Sequence, residues 1–322
     1  MEEKKQQKRV VLFLLVNIIY FFSYFQRVGV PGTIFNELQS EFSLSATAVT
    51  GLAALTFLVY GIMQVFAGIS ADRFGGFRTF LLGACLFSFS SVLFPFSYSP
   101  FILFLARCFV GFSAGFIFIS LIKILSTIYE PEEFPLYLGL SLILGYSGGI
   151  IATYPLERSV NFIGWRNSFL VAGILCSFFT AISIPFLKKT RGSFIQKQTF
   201  SLPRFFKVVR NTHTLPVVIS GPAVFGIYFL FQSSIGKKLL EDFCNFSSAK
   251  AASFTFVMMV ANTLFAFLSA YTSHITGRRK PIIMFSTTST LIAISLILFN
   301  LLFNINPLLF LFSYFLLAVS AA

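Results

Sequence analysis

Gly68-Ile-Ser-Ala-Asp72-Arg73-Phe-Gly75-Gly-Phe-Arg78 is a short polar turn between two long apolar runs, 46–70 and 78–97. Far downstream, Ala270-Tyr-Thr-Ser-His274-Ile-Thr-Gly277-Arg278-Arg279-Lys280 repeats the arrangement between the runs 249–273 and 281–302. Upstream of each turn stands a further matching pair, Phe42-Ser43-Leu-Ser45-Ala46 and Phe246-Ser247-Ser248-Ala249, so the offset between copies is 204 residues there and 202 at the turns. A parallel repeat of this length predicts two similar halves.

Apolar residues make up 56% of the 322 residues and charged residues 11%, and 46 are phenylalanine. A water-soluble domain of this size could not bury so much apolar surface, so the solvent for most of this chain is lipid. Ten runs approach or exceed the ~20 apolar residues that a bilayer demands: 10–35, 46–70, 78–97, 100–128, 136–156, 165–187, 213–233, 249–273, 281–302 and 306–322. Hydrocarbon offers no partner to a free backbone amide, so runs of this length form helices, and the alternating pattern of a membrane barrel is absent. The expected fold class is all-α, a polytopic bundle of transmembrane helices.

Basic residues set the orientation. Lys4, Lys5, Lys8 and Arg9 precede the first run, Arg73 and Arg78 follow the second, seven lie between Lys188 and Arg210, and Arg278, Arg279 and Lys280 follow the eighth. The opposite face receives Arg158, Arg166, Lys237, Lys238 and Lys250, while Arg27, Arg107 and Lys123 sit within apolar runs. By the positive-inside rule the amino terminus and the 188–210 segment are cytoplasmic, with a bacterial inner (plasma) membrane as the expected location. The net charge of +13 follows from this bias and from attraction to anionic headgroups, and calls for no nucleic-acid partner. The basic, then apolar, amino terminus is too long for a secretory signal and lacks a small-residue cleavage site. Cys85, Cys108 and Cys176 fall inside runs and Cys244 in a loop, which is neither a disulfide framework nor a metal-ligand spacing. No cofactor or metal is expected. His213 and His274 stand alone at helix ends, where a solvated interfacial histidine and a proton relay are the two readings.

The order Gly68, Asp72, Arg73, Gly75 and Arg78 resembles the loop that joins the second and third helices of the major facilitator superfamily. Arg107, Gly111 and Gly115 resemble the pattern in that superfamily's fourth helix. The resemblance covers essentially the whole chain. It implies a non-enzymatic secondary transporter of a twelve-helix fold, about ten of whose helices are present here. It also implies that Gly68, Asp72, Arg73, Gly75 and Arg78 form a gate that stabilises the outward-facing state. Asp72, near one helix end, can cap the amino end of a neighbour and pair with an arginine, while Gly68 and Gly75 let backbones approach. Gly76 and Phe77 stand where the family has basic residues. The second copy keeps Gly277, Arg278 and Arg279 but has His274-Ile275 for Asp-Arg, so its gate is expected to be weaker. The alternative for both turns is a plain helix connection carrying positive-inside charge.

Arg27 lies roughly seventeen residues, ~25 Å, into a first helix expected to continue to about Phe35. The nearest carboxylate in sequence is Glu37. An arginine in a cavity invites an anion, since its planar fork binds carboxylate or phosphate. Tyr24-Phe25-Gln26-Arg27 resembles the Tyr, two residues, Arg pattern in the first helix of the organophosphate:phosphate antiporters. Those have a second arginine on helix seven, where this chain has Gln232, so a carboxylate fits better than a phosphate ester. The alternative for Arg27 is snorkelling to the outer headgroups, if the helix ends near Val30-Pro31-Gly32. Arg107 must face the bundle interior, either serving substrate or proton coupling or pairing structurally with helix one or five. Gly111 and Gly115, like Gly145, Gly148 and Gly149, supply small-residue packing faces. Gln64, Tyr146, Gln232 and Asn262 complete the expected polar lining. No embedded carboxylate is evident away from helix ends, which gives weight to exchange over proton symport.

The expected organisation is an amino-terminal six-helix half, 1–187, a basic cytoplasmic loop, 188–212, with a short surface helix about Phe205-Phe206, and a partial second half, 213–322. The expected function is alternating-access transport of a small organic anion, a carboxylate or phosphate ester, with a coupling proton or counter-anion and membrane lipids as further partners. Because the sequence stops within the tenth run, the competing expectation is a truncated remnant or membrane sensor that transports nothing.

Overall fold

The computed structural model describes residues 2–190, 211–212, 224–277, 280–303 and 306–321. His213, Arg278, Arg279 and most of the 188–212 loop, Phe205 and Phe206 included, lie outside them. The chain divides into two compact units, Met1–Phe200 and Ser201–Ala322. All regular structure among the described residues is helical.

The first unit holds α1 (Glu2–Gly29), α2 (Phe35–Phe42), α3 (Ala46–Phe74), α4 (Gly76–Leu93), α5 (Pro100–Ile128), α6 (Phe134–Ile151) and α7 (Tyr154–Thr190). The second holds a π-helical turn (Phe231–Ile235), α8 (Gly236–Cys244), α9 (Ser248–Thr276), α10 (Lys280–Phe303) and α11 (Pro307–Ser320). Among the described residues, eight helices are long and apolar enough to cross a membrane, and α11 is apolar but shorter.

In the first unit α1 is the inner helix, with Val16 and Ile19 fully buried, and it packs along α6 and α7. α3 and α4 both lie against α5, and α4 also against α7. α3 turns Leu58, Ile62, Val65 and Phe66 outward at helical spacing, a stripe suited to lipid. The glycine faces behave as expected. A Cβ on Gly115 would meet the Met63 Cβ at 2.7 Å, and one on Gly111 would run into the Thr56 carbonyl, so α5 touches α3 backbone to backbone. Gly145 abuts the Tyr20 ring and Gly148 the Phe21 carbonyl in the same way, drawing α6 onto α1.

One register relates the two units. α2 ends on left-handed Ser43 (φ 51°), Ser45 accepts the Ala48 amide, and the 29-residue α3 stops at Gly75 (φ 87°). α8 ends on left-handed Asn245 (φ 53°), Ser247 accepts the Lys250 amide, and the 29-residue α9 stops at Gly277 (φ 64°). Each correspondence is 202 residues. This corrects the offset of 204 taken from the serine-rich pair: the capping hydroxyl is tied to the first turn of its helix, so Ser45 matches Ser247.

One helix boundary differs from expectation. α1 stops at Gly29 and does not continue to Phe35, because Pro31 has no amide to donate and its ring blocks the preceding turn. α7 is broken at Gly164 (φ 80°, ψ 158°), so the stretch after it begins at 165, the expected start of the sixth run, and a separate helical stretch from Tyr154 precedes it. The position that matches the 30–34 break lies at 232–236 in the second unit, where the chain stays helical by widening into the π turn.

Candidate functional site

Arg27 occupies the last turn of α1 and is 6% exposed. Its Nε donates to the Ser23 carbonyl at 3.2 Å. The guanidinium carbon lies 4.0 Å from the centre of the Tyr24 ring and 4.9 Å from that of Tyr60. Tyr20 lies beside the same group, and terminal nitrogen Nη2 is buried without a hydrogen-bond partner. Tyr24 meets Tyr20 and Tyr146 edge to face, at 5.3 and 5.1 Å. Gln64 donates to the Tyr60 hydroxyl at 2.8 Å.

Four residues singled out by sequence, Tyr24, Arg27, Gln64 and Tyr146, thus come together in one cluster drawn from α1, α3 and α6. Sequence reasoning missed Tyr20 and Tyr60. Tyr20, Tyr24 and Arg27 are spaced by four and then three residues, one face of a helix, so Tyr20 was within reach of periodicity. Tyr60 enters from another helix and had no local signal. The helix does end at Gly29, as the snorkelling alternative requires, yet Arg27 is enclosed by protein. Val30, Ile34 and Phe35 are buried just beyond it, and the Thr33 hydroxyl ties their turn to the Ala152 carbonyl.

α2, which follows that turn, is held at its far end. Glu41 accepts from Arg166 at 2.6 Å and from the Trp165 indole at 2.7 Å, and Arg166 also donates to the carbonyls of Pro95 and Ser97.

Arg107 is differently placed. It is 1% exposed and donates to the Gln26 side-chain oxygen at 3.2 Å and to the carbonyls of Gln26 and Val30, both at 3.3 Å. These bonds join it to helix one, two of them on carbonyls at the end of α1, while its Nε is buried without a partner.

Gln232 and Asn262 belong to the second unit. Gln232 donates to the Thr255 carbonyl at 3.1 Å, and Asn262 to the Ala318 carbonyl at 2.9 Å. The Gln232 side-chain oxygen and the Ser234 hydroxyl are buried without partners. Lys237, expected on an outer face, is only 4% exposed and lies 3.8 Å from Glu241.

At the polar turn, Asp72 pairs with Lys123 of α5 at 2.9 Å and not with an arginine. Arg73 is exposed over the Phe74 ring, and Arg78 is also exposed. Lys123 comes from a distant helix, so no loop motif could reveal it. Gly68 faces open space, with nothing within 4 Å of a Cβ built there, and does not serve close approach. Gly75 supplies the positive φ that ends α3, and Gly76 makes the close contact, 3.0 Å from a Cβ on it to that of Lys123.

A family profile described as the Major Facilitator Superfamily matches residues 16–322. The chain belongs to the Major Facilitator Superfamily. Within reach of this Major Facilitator Superfamily member are an uncharacterized transporter, YybO, of Bacillus subtilis (strain 168), 26% identical over 52% of this chain and 38% of that one, and probable anion transporter 7 of Oryza sativa subsp. japonica, 29% identical over 53% and 39%. Multidrug resistance protein 2 of Bacillus subtilis is 25% identical over 64% of this chain and 48% of its own. The matched stretch therefore spans less than half of each relative. Among solved structures, a bacterial homolog of the human lysosomal transporter Spinster, inward-facing and unoccupied, shares the fold at a TM-score of 0.74 and 18% identity, over 98% of this chain and 73% of that one. The Major Facilitator Superfamily chain is thus an all-α, multi-pass integral membrane protein.

Proposed function

We propose that this chain carries a small organic anion, a carboxylate in preference to a phosphate ester, by alternating access across a bacterial inner membrane. Its amino terminus and the 188–212 loop face the cytoplasm, and the halves 1–187 and 213–322 rock against each other. The observation that carries the reading is Arg27, buried at 6% exposure with Nη2 unpartnered. Ring faces and one carbonyl stabilise a desolvated guanidinium only in part, so an arriving carboxylate gains a charge-assisted hydrogen bond at little further desolvation cost. Arg27 also stands beside a helix interruption, 30–34, that recurs at the matching place in the second unit as the π turn Phe231–Ile235. Paired interruptions of this kind mark substrate sites in transporters built from repeats.

One relative is named an anion transporter and another a multidrug resistance protein. A cationic drug would meet a like charge at Arg27, which favours the anion. In this reading Asp72 and Lys123, with Gly75 and Gly76, hold the gate of the first unit, and a proton or counter-anion completes the cycle. A thermal-shift screen of the purified chain with carboxylates, sugar acids and organophosphates tests it. An anion is expected to stabilise the parent and not Arg27→Gln. Stabilisation by neutral or cationic compounds only, or equal anion binding by both proteins, overturns it.

A further inference from the structure

We infer that Arg107 holds a small inorganic anion, a halide such as chloride, at a site of its own inside the first unit. Arg107 is 1% exposed, and its three acceptors, the Gln26 side-chain oxygen and the carbonyls of Gln26 and Val30, are all neutral. Among the described residues no ion pair reaches it. Its charge is therefore desolvated and uncompensated, which is costly in a membrane interior. Two donors stand beside that charge: Arg107 Nε and the Gln26 amide nitrogen Nε2 are both buried without a partner. They belong to one cluster, because the oxygen of the same Gln26 amide accepts from Arg107 Nη1 at 3.2 Å.

The chemistry of these groups selects the occupant. A cation would meet a like charge, and a water molecule would accept a hydrogen bond but leave the guanidinium uncompensated. An anion satisfies the donors and the charge together. Its small size follows from the surroundings. Gln26 and Val30 are each 1% exposed, and Leu103 and Val110, one turn to either side of Arg107 on the same face of α5, are fully buried. Phe94 is fully buried as well, with its ring centre 5.4 Å from the guanidinium carbon. Apolar side chains of this kind offer nothing to the polar body of an organic ligand, in contrast to the tyrosines around Arg27. The two arginines also turn opposite ways along α1: Arg27 bends back to the Ser23 carbonyl, whereas Arg107 grips Gln26 and reaches on to Val30. The halide is thus distinct from the ligand proposed for Arg27.

Thermal unfolding of the purified full chain in chloride, in bromide and in methanesulfonate, a bulkier monovalent anion, at equal ionic strength makes the test. Both halides are expected to raise the melting temperature saturably, by roughly 2 °C or more at ~0.1 M relative to methanesulfonate. Arg27→Gln should keep that response. Gln26→Glu, which tethers a carboxylate where the Arg107 guanidinium already rests, should abolish it and raise the melting temperature in methanesulfonate. Crystals of the parent grown in bromide should show anomalous scattering within hydrogen-bond reach of Arg107 Nε, which keeps the test open if a variant fails to fold. Four results overturn the inference: no halide-specific stabilisation of the parent, a halide response lost in Arg27→Gln, a response undiminished in Gln26→Glu, or bromide only at other places. A bromide peak at Arg107 without stabilisation means an adventitious ion only, and overturns it too. Each of these leaves the carboxylate reading at Arg27 standing, which has its own ligand screen.

Discussion

Lys123 reaches from α5 to Asp72 near the end of α3, ammonium to carboxylate, at 2.9 Å. The contact is possible because α4 opens on Gly76, where any side chain would press on Lys123. Both partners keep about a third of their surface or less in contact with solvent, 26% for the lysine and 34% for the aspartate. A pair this exposed adds at most ~1 kcal/mol to stability, so in the gate reading its loss should show in cycling and hardly in folding.

Asp72→Asn and Lys123→Ala are therefore expected to slow transport while leaving ligand affinity near normal. Uptake rates in proteoliposomes set beside binding titrations check this. Equal loss of rate and affinity in well-expressed protein would mean that the pair does not act as a gate.

At Arg27 the expectation is the opposite split. Arg27→Lys keeps the charge but loses the planar geometry that stacks on Tyr24 and Tyr60, and should weaken anion binding by roughly 1.5 to 3 kcal/mol. Arg27→Gln should cost more. Titration of each variant with the anion that protects the parent gives the two values directly.

Removing Arg107 should damage folding more than binding. Arg107→Met strips donors from the side-chain oxygen of Gln26 and from two buried carbonyls, at a cost of about 3 kcal/mol or more. A lower melting temperature with affinity less affected than in Arg27→Gln is the expected outcome. An intact melting temperature with abolished binding would instead assign Arg107 to the ligand.

The glycines separate cleanly. Gly68→Ala meets nothing and should be neutral or stabilising by up to ~1 kcal/mol, whereas Gly115→Ala pushes a methyl into Met63 and should cost about 1 to 3 kcal/mol. Thermal unfolding of the two variants side by side decides it.

Cys244 closes α8 on the face expected outside, so an impermeant thiol reagent should label it in intact cells. Burial pushes its thiol above the ordinary range, and nearby Lys250 pulls the other way. The thiolate is the reactive form, so labelling should accelerate as pH rises into the alkaline range, and Lys250→Ala should shift that acceleration to still higher pH. Labelling only after permeabilisation would reverse the orientation, as would an external signal from a reporter fused at Lys197, a position outside the described residues.

Much of this architecture was present in one dimension. Lipid cannot satisfy a free amide, so each long apolar run had to be a helix, and the two polar turns announced the repeat. Caps are equally local, which is why Ser45, Ser247, Gly75 and Gly277 perform in the structure the kind of role their residue types imply. Tertiary structure alone separated the two buried arginines. In sequence Arg27 and Arg107 look alike, each a lone cation in an apolar run. Folding gives Arg107 three neutral acceptors from the end of α1, a partner 81 positions away, and sets Arg27 among tyrosine rings with one carbonyl acceptor; each keeps one buried nitrogen without a partner. Helices that are apolar nearly all round carry no pattern that says which face meets which neighbour. Backbone contacts at Gly111, Gly115, Gly145 and Gly148 decide that, and with it which neighbours each buried arginine meets.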